Sequence, residues 1–114
     1  MHEMAVMSYL LEAVEAEAQR IGAQRVLAIN LVMGERASVF DDSLLFYFDL
    51  LTPGTVAAGA QLHVRRTAMR FHCAGCDQDY SPVDDTFRCP QCRIVGQVTA
   101  DGTELLIESI EVES

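Results

Sequence analysis

Apolar residues recur three or four positions apart at Met4, Met7, Leu10, Leu11, Val14, Ala18 and Ile21, while Glu12, Glu15, Glu17 and Gln19 fall mostly on other faces. That spacing predicts an amphipathic helix running to about Arg20, with Gly22 placed to end it. Met4 and Met7 sit on this helical stripe and read as core filler rather than as soft metal ligands. From Arg25 to Met33 the period changes to two. Leu27, Ile29, Leu31 and Met33 lie on one side, Val26, Ala28, Asn30 and Val32 on the other. Both sides are largely apolar, which predicts a central strand, ended by Gly34.

Asp41, Asp42 and Ser43 supply N-cap oxygens ahead of an apolar run from Leu44 to Leu51, and Thr52-Pro53-Gly54 closes it. The expectation is a short, heavily buried second helix, with the two aspartates as capping residues rather than a metal or acid/base pair. Gln61 to Ala68 alternates as a strand, with Leu62 and Val64 on one face and His63, Arg65 and Thr67 on the solvent side. Asp101-Gly102 signals a turn before a last strand from Glu104 to Val112, in which Leu106, Ile110 and Val112 share a face interrupted by Glu108. The fold class is therefore α/β: a small mixed three-stranded sheet with two helices. Residues 1–67 and 103–114 form this body, and residues 68–102 form an inserted domain.

A chain of 114 residues buries roughly two-thirds of its unfolded surface, enough for one modest core but not for two. The inserted domain must then draw its stability from something other than apolar burial. Half the residues are hydrophobic, yet no apolar run approaches the ~18 residues that span a bilayer, so no membrane role is expected. The net charge of −9 disfavours nucleic acid, whose binding rests on Lys and Arg neutralising phosphates, and favours basic protein partners or cationic metal.

The inserted segment holds all four cysteines, as Cys73-Ala74-Gly75-Cys76 and Cys89-Pro90-Gln91-Cys92, two CxxC knuckles with twelve residues between them. Four thiolates at this spacing converge on one tetrahedral Zn(II) and leave no open position for substrate, so the zinc is expected to be structural. Disulfides would require an exported protein; no apolar signal segment opens the chain, and a reducing cytoplasm is expected instead. The knuckles flank polar, turn-rich sequence, unlike a thioredoxin-type redox pair. A second metal chemistry lies at Met1-His2-Glu3. The Met1 amine, the backbone nitrogen and imidazole of His2, and then Glu3 or its amide, can close fused rings around an ion in a nitrogen-rich plane, which suits Ni(II) or Cu(II) better than Zn(II).

Met1-His2-Glu3, the α/β body, the two knuckles with Pro90 in the second, and the closing Ser109-Ile110-Glu111-Val112 strand together resemble the HypA/HybF family of hydrogenase nickel-incorporation proteins, over essentially the whole chain. The resemblance implies a nickel metallochaperone without enzymatic turnover of its own, a monomer or homodimer. It implies that Ni(II) is taken at Met1, His2 and Glu3, with His2 ligating through imidazole and backbone nitrogen. With a HypB-type GTPase, the metal is then delivered to the [NiFe]-hydrogenase large subunit precursor, and urease maturation proteins are a second set of candidate partners. Cys73, Cys76, Cys89 and Cys92 would hold structural zinc. Because methionine aminopeptidases act only ahead of small residues, His2 should protect Met1 and keep its amine in place.

One departure limits the carry-over. Some members place a histidine directly after a knuckle, where it makes the zinc site responsive; those positions are Asp77 and Arg93 here. His72 precedes the first cysteine instead and reads as an exposed neighbour, since four thiolates already fill the zinc. Two rival readings are a zinc-ribbon adaptor for nucleic acid or transcription machinery, and a metallohydrolase using His2, His63 or His72. The first is opposed by Asp77, Asp79, Asp84 and Asp85 around the knuckles, the second by the lack of any HExxH pair.

Overall fold

The computed structural model describes residues 3–37 and 41–114; Met1, His2 and residues 38–40 lie outside the described residues. Helix α1 spans Glu3–Arg20, strand β1 Arg25–Gly34 and helix α2 Asp41–Leu51; strands β2 Gln61–Thr67, β3 Arg70–Cys73, β4 Gln78–Tyr80, β5 Gln97–Ala100 and β6 Leu105–Glu113 follow. Among the described residues there are two three-stranded sheets, one ordered β2-β1-β6 and the other β4-β3-β5. The first, with the two helices, is the α/β body that the periodicity predicts. The second was not legible in the sequence.

The chain divides into two compact units, one of residues 1–32, 38–65 and 106–114, the other of residues 33–37 and 66–105. In the first, α1 buries Met7, Leu10, Leu11, Val14 and Ala18 of the stripe its period marked out, whereas Met4 and Ile21 at the two ends of that stripe are exposed, so Met4 is not core filler. It stops where expected. Gly22 takes φ 70°, the Ala23 N–H donates to the Ala18 carbonyl at 2.9 Å and the Gly22 N–H to that of Gln19 at 3.2 Å, which satisfies the last orphan carbonyls. Strand β1 is central and largely buried on both faces, as its largely apolar alternation predicts, with Arg25 and Leu27 exposed at its start and Asn30 half-buried.

The polar face of this sheet is stitched by side chains. His63 Nδ1 lies 3.0 Å from Asn30 Oδ1 and its Nε2 3.1 Å from Gln61 Oε1, while Asn30 Nδ2 donates to Ser109 Oγ at 3.0 Å. Arg65 reaches Glu108 at 2.6 Å. His63 is thus a member of a hydrogen-bonded row on β2, β1 and β6, in keeping with a solvent-facing strand residue.

Two expectations for this unit fail. Asp41 and Asp42 do not precede α2; they occupy its first turn, where their charge meets the positive end of the helix dipole. And α2 is not heavily buried: only Leu44 and Phe48 are, whereas Leu45, Phe46 and Leu50 are exposed. In β6 the inward face also differs. Glu108 and Ser109 are both exposed, so the alternation slips by one; Leu105, Ile107, Ile110 and Val112 are half-buried and Leu106 is exposed.

The second unit takes in residues that the strand pattern assigned to the body. Gly34, Glu35 and Arg36 donate backbone hydrogen bonds to the carbonyls of Glu104, Thr67 and Gly102, each at 2.7 Å. A Cβ on Gly34 would come within 2.2 Å of the Gly102 carbonyl oxygen, so this backbone-to-backbone approach requires glycine. No helix among the described residues is long and apolar enough to cross a membrane.

Candidate metal centre

Each knuckle is the tip of a hairpin. Strands β3 and β4 pair antiparallel with Phe71 opposite Tyr80, His72 opposite Asp79 and Cys73 opposite Gln78, so Cys73 ends one strand and Cys76 lies in the turn to the next. Around the second knuckle Arg88 bridges Val95, the Cys89 N–H donates to the Ile94 carbonyl at 2.8 Å, and the Arg93 N–H returns to the Cys89 carbonyl at 2.9 Å. The residue directly after each knuckle is left-handed, Asp77 at φ 54° and Arg93 at φ 66°. Both hairpins therefore turn the same way to bring two sulfurs inward.

The four sulfurs lie within 4.8 Å of one another. Cys73 and Cys92 are 3.3 Å apart, Cys76 and Cys89 3.7 Å, Cys89 and Cys92 3.8 Å. A tetrahedron with ~2.3 Å metal–sulfur bonds has edges of about 3.8 Å, so the donor set fits a single tetrahedral ion. All four cysteines are free thiols. Gly75 lies close beneath the sulfurs: a Cβ there would sit 3.0 Å from Ile94 Cδ1 and 3.4 Å from Cys92 Sγ.

Protonation follows from the crowding. The backbone N–H of Cys92 is the chief reason that the Cys89 thiol titrates low, at about 7; the Gln91 N–H adds to it, against the upward push of burial. Cys92 moves the other way, raised by proton sharing with Cys73 and then Cys76, and by burial. Four sulfurs this close cannot all be anionic unless a cation sits among them. Cys73, Cys76, Cys89 and Cys92 could hold such a cation.

The centre stands on a small platform of Met69, Phe71, Cys73, Tyr80 and Cys89, with Cys76 and Cys92 packed against it. Phe71 stacks on Tyr80 at 5.4 Å between ring centroids and on Phe87 at 5.7 Å. The Tyr80 hydroxyl donates to the Phe87 carbonyl at 2.8 Å and accepts from the Gly96 N–H at 2.9 Å, clasping the chain on either side of the second knuckle. Sequence reasoning missed Tyr80 and Gly96. Their only trace in the sequence is an isolated aromatic and an isolated glycine.

His72 is engaged by two carboxylates. Its Nδ1 lies 2.8 Å from Asp79 and its Nε2 3.3 Å from Asp77, and the Asp79 hydrogen bond is the main cause of its raised pKa. Near the knuckles, Arg88 donates to the Arg93 carbonyl at 2.9 Å and Arg70 to Ser81 Oγ at 3.3 Å. These two cations are engaged locally, which weakens the nucleic-acid reading. Of the terminal triplet, Glu3 is the first residue of α1, and Met1 and His2 lie outside the described residues.

A helix-and-sheet body joined to a four-cysteine unit defines the class: a small protein built around a closed thiolate centre. The comparisons specify the family. The sequence matches the family described as "Hydrogenase/urease nickel incorporation, metallochaperone, hypA" over residues 1–112. It is similar to a hydrogenase maturation factor HypA of Caldanaerobacter subterraneus subsp. tengcongensis, 37% identical over 114 residues, covering 99% of this chain and 100% of the relative. A HypA of Dehalococcoides mccartyi is 36% identical over 113 residues, covering 99% and 95%. The fold matches the solution structure of the Ni metallochaperone HypA from Helicobacter pylori, with a TM-score of 0.70 at 20% identity, covering 100% of this chain and 99% of that one. A second HypA solution structure gives 0.72 at 23% identity, covering 98% and 96%. The chain belongs to the HypA family of hydrogenase and urease nickel-incorporation metallochaperones.

Proposed function

We propose that this chain takes up Ni(II) at Met1, His2 and Glu3 and delivers it to the [NiFe]-hydrogenase large subunit precursor, together with a HypB-type GTPase and without catalytic turnover of its own. Urease maturation proteins are a second set of partners, and the cytoplasm is its compartment. The same reading gives Cys73, Cys76, Cys89 and Cys92 a structural Zn(II).

The observation that supports the nickel site is the family match over residues 1–112, which takes in Met1, His2 and Glu3. Glu3 lies in the first turn of α1, where backbone N–H groups have no intrahelical acceptor. Its amide can then serve, with the Met1 amine and the two nitrogens of His2, as part of a planar set suited to Ni(II). The acidic Glu3 side chain offsets the positive helix end beside the incoming cation.

Nickel titration of untagged protein by calorimetry tests this. His2→Ala should abolish stoichiometric nickel binding and leave zinc content unchanged. Adding two residues before Met1, which moves the amine away, should weaken binding about as much. Because the amine, with a pKa near ~7.7 to 8.0, and imidazole, near ~6.5, must lose protons to bind, affinity should fall as pH drops from ~7.5 towards ~6. An extended protein that binds nickel normally would show that side chains alone make the site.

A further inference from the structure

We infer that the outer face of α2, continued by the cleft between α2 and α1, is a docking surface for a cationic amphipathic segment of a partner protein. The apolar run of α2 stabilises the fold with only part of its circumference. At 3.6 residues per turn, Leu45, Asp49, Asp42, Phe46 and Leu50 fall in that order within one arc of about 140°, and all five are exposed. Phe46 is 61% exposed and Leu50 57%. A helix needing only solubility would place polar side chains here; three large apolar residues on one arc mark an interaction site.

The surface is shaped as well as apolar. The Phe46 ring lies edge-on to Tyr47 at a centroid distance of 5.1 Å, which sets an aromatic anchor beside the exposed arc. Going round the helix, Tyr47 and Leu51 follow Leu50, and Leu51 lines a cleft of about 200 Å³ with Ser8, Leu11, Glu12 and Glu15 of α1. Ridge and cleft together suit a helix laid along them through residues at i, i+3, i+4 and i+7.

Charge selects the occupant. Asp42 and Asp49 lie inside the apolar arc of α2, and Glu12 and Glu15 wall the cleft. The two helices carry seven carboxylates and a single cation, Arg20, whose Nε hydrogen-bonds Glu17 at 3.0 Å. A second copy of the chain would bring the same −9 charge to this surface and be repelled. A segment with an apolar stripe flanked by Lys or Arg matches both features. This assignment does not depend on the nickel ligands.

The test uses the zinc-loaded, isotope-labelled full chain and a helical peptide of about 18 residues built only from Leu and Lys, with Leu at i, i+3, i+4 and i+7. Saturable chemical-shift changes are expected on residues 41–51 and at Ser8, Glu12 and Glu15. Phe46→Ser with Leu50→Ser should weaken binding about tenfold or more, and Asp42→Lys with Asp49→Lys likewise; all four positions are exposed, and circular dichroism checks that each variant is folded. Shifts mapping elsewhere, equal binding of a scrambled or a Leu/Glu peptide, or unchanged affinity in both double variants would overturn the inference. So would a concentration-dependent dimer in sedimentation that Phe46→Ser with Leu50→Ser abolishes, since the occupant would then be a second copy. Nickel titration of the same variants should be unchanged; loss of nickel binding by the wild-type chain would remove the function proposed above and leave this surface standing.

Discussion

The two units of this chain reach a fixed structure by different means. The first buries a continuous apolar set from α1, β1 and α2, and each such side chain contributes roughly 1.5–3 kcal/mol relative to exposure. The second has strands of three and four residues and an apolar cluster in which Cys73 and Cys89 are themselves members. Its sulfurs are core atoms and candidate ligands at once. Burial suffices where a helix can present a stripe to a sheet; where short hairpins bury only a handful of side chains, four converging thiols offer coordination as a second means.

Removing one sulfur should break the comparison most visibly. Metal bound by four thiolates supplies on the order of 10 kcal/mol of ordering to a segment of this kind. A Cys89→Ala variant is expected to lose zinc and to become protease-sensitive between Phe71 and Val95, while amide protons of α1 and β1 stay protected. A variant that kept one tight zinc and a protected second unit would show that the cysteines are not the staple. A smaller and opposite effect is expected from Leu44, which is fully buried in the first unit. Leu44→Ala should cost about 2–5 kcal/mol in the thermal or denaturant unfolding of that unit. Zinc content, measured by elemental analysis, should not change; if zinc leaves with the helix, the two means of stabilisation are coupled.

How much of this was legible beforehand follows the same division. Helix α1 was readable because Glu12, Glu15 and Glu17 fix the phase of its apolar stripe and Gly22 marks its end. The convergence of the four cysteines was readable because CxxC spacing constrains chemistry rather than packing. Helix α2 was misjudged: Leu44 to Leu51 contains one charged residue, Asp49, so nothing in the run says which side faces out. In β6 the pair Glu108-Ser109 shifts the inward face by one position, which a strict period of two cannot anticipate. Strands β3, β4 and β5 are too short to show any period, and residues 33–37 join the second unit through backbone hydrogen bonds that carry no side-chain signature. Met1, His2 and Glu3 were proposed as nickel ligands from their chemistry, and of that triplet only Glu3 is among the described residues.

The finest distinction between the units lies in Tyr80, and it carries the smallest expected effect. Its hydroxyl joins the Phe87 carbonyl, before the second knuckle, to the Gly96 N–H, after it. Substituting Tyr80→Phe keeps the ring that stacks on Phe71 and removes only the clasp. Two backbone groups then lose a partner in a half-buried setting, a cost of about 1–3 kcal/mol. That cost should fall on the second unit alone, and on how firmly it grips its ion rather than on whether it folds. The measurement is the rate at which a competing chelator strips zinc, expected to rise by about tenfold for a loss near 1.4 kcal/mol, with the unfolding of the first unit unchanged. Zinc release at the wild-type rate would mean that the sulfurs and the stacked rings define the knuckle by themselves, and that the tyrosine hydroxyl is a bystander to the metal.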